Sequence, residues 1–412
     1  TVQLFLDKRA DGDFAVLEGV MGLYDGLGGI YEQGSSYHLA KVTQTPIILV
    51  VDAKGMGKSV LALIAGFLQY DTQHLIKGVL LNRMSKGYYD IIKPLIEKEL
   101  SVKVVGYFPE QKDIRLESRH LGLVMPDELA DIKEQLDELA GRLKKTIDLD
   151  MLLDIAVEAE EISDSGNADI YNVKNIGNYD QNEFSQNKAI NTVNIAVAMD
   201  EAFCFYYEDN LRLLEKCGAK LQYFSPLHDT KLPDNCDALL LGGGYPELYA
   251  KELSENLSMR NSIKTAFKTG LPTVAECGGF MYLHTYIHNI CEEDADAQNY
   301  VFGMTGALDS ECHFKGKLVR FGYIELAEKH SNFLPPNEKI KAHEFHYYDS
   351  TDNGADCIAT KPATGRSYDC VISHDNYWLG FPHLYYPSNP HFAERLVRKA
   401  YEYRRNKNGK LL

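Results

Sequence analysis

The chain has 412 residues, with 43 Lys and Arg against 59 Asp and Glu, and a formal net charge of −16. That balance argues against nonspecific binding to nucleic acid, and no apolar run approaches the roughly 20 residues a membrane-spanning helix needs. The length suits two or three domains. All eight cysteines follow residue 203 without paired metal spacing, which fits a reduced chain of the cytoplasm.

In chain order, Asp13–Glu18, Thr45–Asp52, Ile76–Asn82 and Val102–Pro109 read as short apolar strands, with helical stretches at Ser59–Tyr70 and Tyr88–Glu99. Buried strands joined by helical crossovers predict a parallel sheet covered on both faces, with ligands beyond the carboxyl ends of its strands. Glu18, Asp52 and Asn82 fall at such ends. The run Asp52-Ala-Lys-Gly-Met-Gly-Lys-Ser59 ends like a phosphate loop, but that motif needs glycine at position 52. Lys58 is therefore expected to cap the helix or face the cleft. Leu129, Ile132, Leu136, Leu139 and Leu143 recur at helical spacing, which predicts an amphipathic helix over Asp127–Lys145 whose stripe is ordinary core. From Ile162 to Asn191 the chain is polar and without period, as a linker is. The expected division is thus a domain over 1–161, a linker over 162–191 and a domain over 192–412.

The second half opens on a fresh α/β pattern: strand Val193–Met199, helix Asn210–Cys217, strand Lys220–Phe224. Asp237-Ala-Leu-Leu-Leu-Gly-Gly-Gly-Tyr-Pro-Glu247 is an apolar strand running into three glycines, whose bare N–H groups suit an oxyanion hole. Thr273-Val-Ala-Glu-Cys-Gly-Gly-Phe280 has the layout of a nucleophile elbow, with Cys277 at a strand-to-helix turn and Gly278 beside it. A helix N-terminus behind Cys277 would favour its thiolate. A cysteine nucleophile needs a base that can be distant in sequence, and Gly380-Phe-Pro-His383 supplies one late in the chain. The other seven cysteines read as core.

These motifs carry a resemblance. Together with Glu18-Gly-Val-Met-Gly-Leu-Tyr-Asp-Gly26, Asp200-Glu-Ala-Phe-Cys-Phe-Tyr-Tyr207, Phe224-Ser-Pro-Leu-His-Asp229, Arg320-Phe-Gly-Tyr323 and His343-Glu-Phe-His-Tyr347, they make nearly the whole chain similar to the cobyrinic acid and cobyric acid synthase group of class I glutamine amidotransferases. The resemblance implies an α/β protein of two domains: a P-loop-type, dethiobiotin-synthetase-like, ATP-dependent parallel-sheet domain, then a glutaminase domain. It implies Cys277 and His383 as the catalytic pair, Gly243, Gly244 and Gly278 as oxyanion donors, Glu18 as a Mg²⁺ ligand, Asp25 at the substrate or intermediate, and Asn82 at the nucleotide base. Its substrates would be L-glutamine, ATP and cobyrinate or a related tetrapyrrole, with no nucleic acid or membrane partner; a homodimer is compatible with it. Hydrogenobyrinate or nickel-sirohydrochlorin would require the same residues. A noncatalytic relative of the partitioning ATPases would share the first sheet but lack the elbow. Arg119, His120 and Arg320 are candidates to meet a polycarboxylate ring.

Three departures from the group's pattern stand out. A phosphate loop and an aspartate-bearing segment are expected before Glu18, and the chain as given carries neither, so its first domain is expected to be incomplete and to bind Mg-ATP weakly. Tyr385 stands two residues after His383, where ordinary class I domains place a glutamate that orients the imidazole. Ala342 stands where glycine is usual, and is expected to adjust a turn. The paired histidines of His343-Glu-Phe-His346 are expected to be structural or substrate-facing rather than metal ligands.

Overall fold

The computed structural model describes residues 2–9, 12–111, 131–159, 162, 192–290 and 299–409. Arg119, His120, Leu129 and the expected linker beyond residue 162 lie outside the described residues. The chain divides into two compact units, Thr1–Asn167 and Ala168–Leu412.

In the first unit the strands Ile47–Asp52, Ile76–Asn82 and Lys103–Phe108 form a parallel sheet in that order. The helices Ser59–Tyr70 and Lys86–Leu100 supply the crossovers. Their apolar faces bury Val60, Ile64, Ile92 and Ile96 in one cluster with Val79, Leu81 and Val104 of the strands. Each fully buried aliphatic side chain contributes about 1.5–3 kcal/mol, so this packing, more than helix propensity, holds the elements. Asp71 is a buried carboxylate that ties the unit together. It accepts from the Tyr37 hydroxyl at 2.9 Å and from the N–H groups of Leu75 and Ile76 at 3.0 and 2.7 Å.

Two expectations fail here. Asp13–Glu18 is not a strand: it is irregular and exposed, with Phe14, Val16 and Leu17 facing solvent. Glu18 therefore does not sit at the carboxyl end of a sheet strand. A short apolar run without strict alternation does not specify pairing by itself. The second concerns the helix within Asp127–Lys145: it is present over Ile132–Leu143, but its stripe is not core, since none of its residues is fully buried.

The second unit centres on a six-stranded sheet in the order Ile372–His374, Tyr377–Gly380, Thr273–Glu276, Ala238–Leu241, Val193–Ala198, Ala219–Phe224. All neighbours run parallel except the first pair, which is antiparallel. Ala238–Leu241 and Thr273–Glu276 are buried from end to end, and Val193–Ala198 at every residue but Asn194, as strands covered on both faces must be. A five-stranded antiparallel sheet, in the order Ser367–Cys370, Cys357–Thr360, Arg320–Glu328, Lys339–His346, His383–Leu384, belongs to the same unit. Ala342 lies within its strand Lys339–His346 and pairs with Ile324 and Leu384, so it adjusts no turn. Among the described residues no helix is long and apolar enough to cross a membrane.

Candidate active site

Three adjacent parallel strands of the second unit, Tyr377–Gly380, Thr273–Glu276 and Ala238–Leu241, end at one edge of the sheet. Their continuations are Phe381–His383, Cys277 and Gly242–Gly244. Backbone bonds lace these ends together. Cys277 N–H donates to Gly380 O at 2.8 Å, and Gly279 N–H donates to Gly242 O at 2.8 Å. The sheet topology thus gathers the late histidine, the elbow cysteine and the glycine turn, where open α/β sheets place their sites.

Cys277 turns the chain sharply, with φ 46° and ψ −105°, into the helix Gly278–Leu283. A positive φ on a non-glycine residue costs about 1–3 kcal/mol and persists only where the surroundings enforce it. The glycines explain the enforcement. A Cβ on Gly279 would collide with Leu241 O, so only glycine lets the helix press onto the neighbouring strand end. A Cβ on Gly278 would stand 2.9 Å from Pro246 Cδ and 3.1 Å from Gly244 N, which puts the Gly244 amide beside the elbow. A Cβ on Gly243 would collide with His383 Cε1. The turn itself is held by pairing of Gly243–Gly244 with Phe203–Phe205, and by Gly242 N–H donating to the Tyr206 hydroxyl at 2.8 Å.

His383 opens the two-residue strand His383–Leu384 and lies opposite His343. Asn210, buried in the first turn of the helix Glu208–Lys216, clamps the flanking backbone. Its Nδ2 donates to Leu384 O, and its Oδ1 accepts from Tyr386 N–H, both at 2.8 Å. The rings of His343 and His383 stack at 4.7 Å and 12°. The Tyr207 hydroxyl meets His343 Nδ1 at 2.9 Å. Tyr385 packs edge-on against Tyr207 and hydrogen-bonds Asp209. Tyr207, Asn210 and Glu276 went without a role in the sequence; a buried amide that clamps backbone has no motif.

Cys277 and His383 are each 6% exposed. Burial, reinforced by Glu247, pushes the Cys277 thiol up to about 12, and the Gly278 N–H works against that shift without winning. The expected thiolate is thus not favoured: the helix behind the cysteine is only six residues long, and desolvation with nearby carboxylates outweighs its dipole. Burial, then His343 and His346, depresses His383 to about 3. Burial also raises Glu276 to about 8, against the Leu384 N–H and Tyr386 hydroxyl that bond its carboxylate. The pair at rest is a neutral thiol and a neutral imidazole. Such a pair attacks by giving up its proton as the new bond forms.

The candidates of the first unit are placed differently. Glu18 and Asp25 lie on an exposed turn, with Asp25 folded so that a Cβ on Gly22 would strike its carboxylate. A Cβ on Gly19 would come 2.8 Å from Ser36 Oγ, so this turn adjoins the start of the helix Ser36–Val42. Asn82 pairs with Asp52 at the carboxyl ends of their strands, and its Oδ1 accepts from Arg83 N–H at 3.0 Å. Arg83 in turn pairs with Asp52. Lys58 immediately precedes the helix Ser59–Tyr70 and pairs with Glu99 at 3.1 Å. In the second unit the Arg320 guanidinium lies 3.4 Å from buried Glu344 and over the Tyr368 ring. His288, Glu311 and His313 also cluster. Their two rings stack within 18° of parallel, so the lone pairs do not converge, and Glu311 already engages His288 at 2.8 Å.

Residues 194–389 match the family model of the CobB/CobQ-like glutamine amidotransferase domain. The second unit is thus a glutamine amidotransferase of that class. The cobyrinate a,c-diamide synthase of Caldanaerobacter subterraneus subsp. tengcongensis is 38% identical over 385 residues, 92% of this chain and 79% of that protein. Those of Picrophilus torridus and Clostridium acetobutylicum are 35% and 36% identical, each over at least 95% of this chain and 83% of their own length. The chain belongs to the cobyrinate a,c-diamide synthase family.

Proposed function

We propose that this chain uses glutamine hydrolysed at Cys277 to amidate the a and c carboxylates of cobyrinate in an ATP-dependent ligase reaction. The observation that carries the reading is the convergence of Cys277, His383 and the triple-glycine turn at the ends of three adjacent strands. In that reading the Cys277 thiol passes its proton to His383 as sulfur bonds to the amide carbon of glutamine. The carbonyl oxygen gains the negative charge and faces the amides of Gly243, Gly244 and Gly278, donors that need no reorganisation. His383 returns the proton to the leaving nitrogen, the C–N bond breaks and ammonia departs. A water, deprotonated by the same imidazole, then releases glutamate from the thioester.

On the synthetase side, ATP held with Mg²⁺ would supply the phosphoryl group that turns a ring carboxylate into an acyl phosphate open to ammonia. The donors around the exposed turn, the Glu18 and Asp25 carboxylates and the Ser36 hydroxyl, are all oxygens, which suits a hard cation. Glu18 would hold Mg²⁺, Asp25 would face the substrate or its acyl phosphate, and Asn82 would meet the nucleotide base. Relatives such as those of Caldanaerobacter subterraneus subsp. tengcongensis and Priestia megaterium, 38% and 33% identical, bear the cobyrinate name, which favours that ring over hydrogenobyrinate or nickel-sirohydrochlorin. Glutamate release by Cys277→Ala tests the reading: hydrolysis should vanish, while amidation with added ammonia persists in a protein that also carries the phosphate-loop segment. Glutamine turnover retained in that variant would overturn it.

A further inference from the structure

An imidazole that takes a proton from a thiol has to be held in one orientation, usually by a hydrogen-bonding third group. At His383 the described surroundings offer a different device. The His343 ring lies flat against the His383 ring, 4.7 Å between centroids and 12° from parallel. The two residues face each other across paired strands, so the backbone register places the rings together. On its Cε1 side His383 is walled by the bare Cα of Gly243. His343 is itself fixed by the Tyr207 hydroxyl at 2.9 Å from Nδ1. Tyr207 is braced by Tyr385, with ring centroids 5.6 Å apart at 83°. The residue at the place of the usual glutamate thus acts two steps away from the base.

We propose that His343, locked by Tyr207, is the positioning residue for His383, replacing a triad carboxylate with a stacked neutral ring. This inference rests on the reading of Cys277 and His383 as the glutaminase pair. When Tyr207 O–H donates to Nδ1, His343 carries its proton on Nε2 and stays neutral. Its π face then meets the imidazolium formed when His383 accepts the Cys277 proton, and an aromatic face attracts a cation. The burial that disfavours charge on His343 keeps the platform neutral. A charge on His343 would oppose one on His383, so the neutral ring is the state in which the stack holds geometry while His383 carries the proton.

The test is glutamate release by His343→Ala, His343→Phe and Tyr207→Phe, with Cys277→Ala in parallel and thermal melts on each. Removing the stack in His343→Ala should lower kcat by about 10²-fold, the lower range of a base's contribution. KM for glutamine should change less than about threefold, because the ring does not bind the ground state. His343→Phe restores a flat ring and should recover most of that loss, which a merely structural role of the imidazole nitrogens would not give. Tyr207→Phe should cost less than His343→Ala. A folded His343→Ala with parental kcat overturns the proposal. So does a His343→Phe as slow as the alanine variant while melting like the parent. Hydrolysis that survives Cys277→Ala instead overturns the glutaminase reading, whatever the His343 variants do.

Discussion

The two units follow the same rule, parallel strands with candidate residues at their carboxyl ends, yet they present those residues in opposite ways. In the second unit Cys277 and His383 are almost fully buried, and each is locked by backbone bonds, glycine contacts and ring stacking from the same unit. In the first, Glu18 and Asp25 stand exposed on an irregular turn, and Asp52 and Arg83 pair at the surface of the sheet end. The difference matches the chemistry proposed for each. A nucleophile and base work at fixed separation, and a 1 Å misplacement can cost about 10²-fold. Carboxylates that wait for a hydrated cation and a large substrate do not need a closed shell; Mg²⁺ keeps several waters and takes few protein ligands.

The sharpest way to break the comparison is to fill the space that glycine leaves open. Gly243→Ala adds one methyl where His383 Cε1 already lies. Either the turn or the imidazole must move, and glutamate release should fall by about 10³-fold or more, combining a lost base with a displaced oxyanion donor. Parental hydrolysis by Gly243→Ala would mean that the imidazole has room to spare, and that the lock described here is not one.

The exposed turn predicts the reverse pattern. In a protein that also carries the expected phosphate-loop segment, Glu18→Gln should abolish amidation of the ring with either glutamine or ammonia, yet leave glutamine hydrolysis and the melting temperature within error, since the side chain is exposed. Amidation at the parental rate would remove Glu18 from the site.

How far the sequence revealed each site follows from this contrast. Cys277, His383 and the three glycines were legible because strained turns and close backbone approach demand particular residue types. The helix Ser59–Tyr70 and the strand Ile76–Asn82 were read to the residue, since their apolar runs are bounded by clear breaks. Asp13–Glu18 was misread because an apolar run of four residues does not announce its pairing partner. The charge state of Cys277 was misread for another reason: a helix N-terminus shows in sequence, whereas the burial that overrides it is a property of the assembled core. The clamp at Asn210 was illegible because it joins residues 174 and 176 positions apart.

That clamp gives a smaller, separable effect. Asn210→Ala leaves Leu384 O and Tyr386 N–H buried without their partner, at about 1–3 kcal/mol for such a group. The segment carrying His383 should loosen, and kcat for glutamine hydrolysis should drop by about tenfold. Asn210→Asp keeps the acceptor for Tyr386 N–H alone and should fall between, as denaturant titration alongside the assay would show. A stable, fully active Asn210→Ala would assign the positioning of His383 entirely to its strand.

The smallest effect concerns pH and separates the units by stability. Among the described residues, the histidines whose proton affinity the fold depresses belong to the second unit: His284 to about 4, His383 to about 3, and His313, His343 and His346 in the same direction, each chiefly through burial. His284 shows why. Its ring is buried, with Nδ1 2.7 Å from Phe280 O and Nε2 2.7 Å from Ser350 Oγ, and the lost hydration disfavours the charged form. Unfolding releases such a ring to bind a proton near pH 6.5, while the folded form waits until about 4 or 3. Between those limits the unfolded state holds more protons, so stability falls as the pH falls, by at most about 1.4 kcal/mol per pH unit for each histidine. Glu276 has the opposite sign. Protonated in the fold up to about 8, it adds stability that is lost as pH rises from its ordinary 4.5, and it offsets one histidine at most. Calorimetry at pH 7 and pH 5 should therefore show the transition of the second unit moving to lower temperature at pH 5. His284→Gln, which has no proton to gain in this range, should shift less between the two pH values than the parent. An equal shift in both proteins would mean that this buried imidazole does not couple folding to protons.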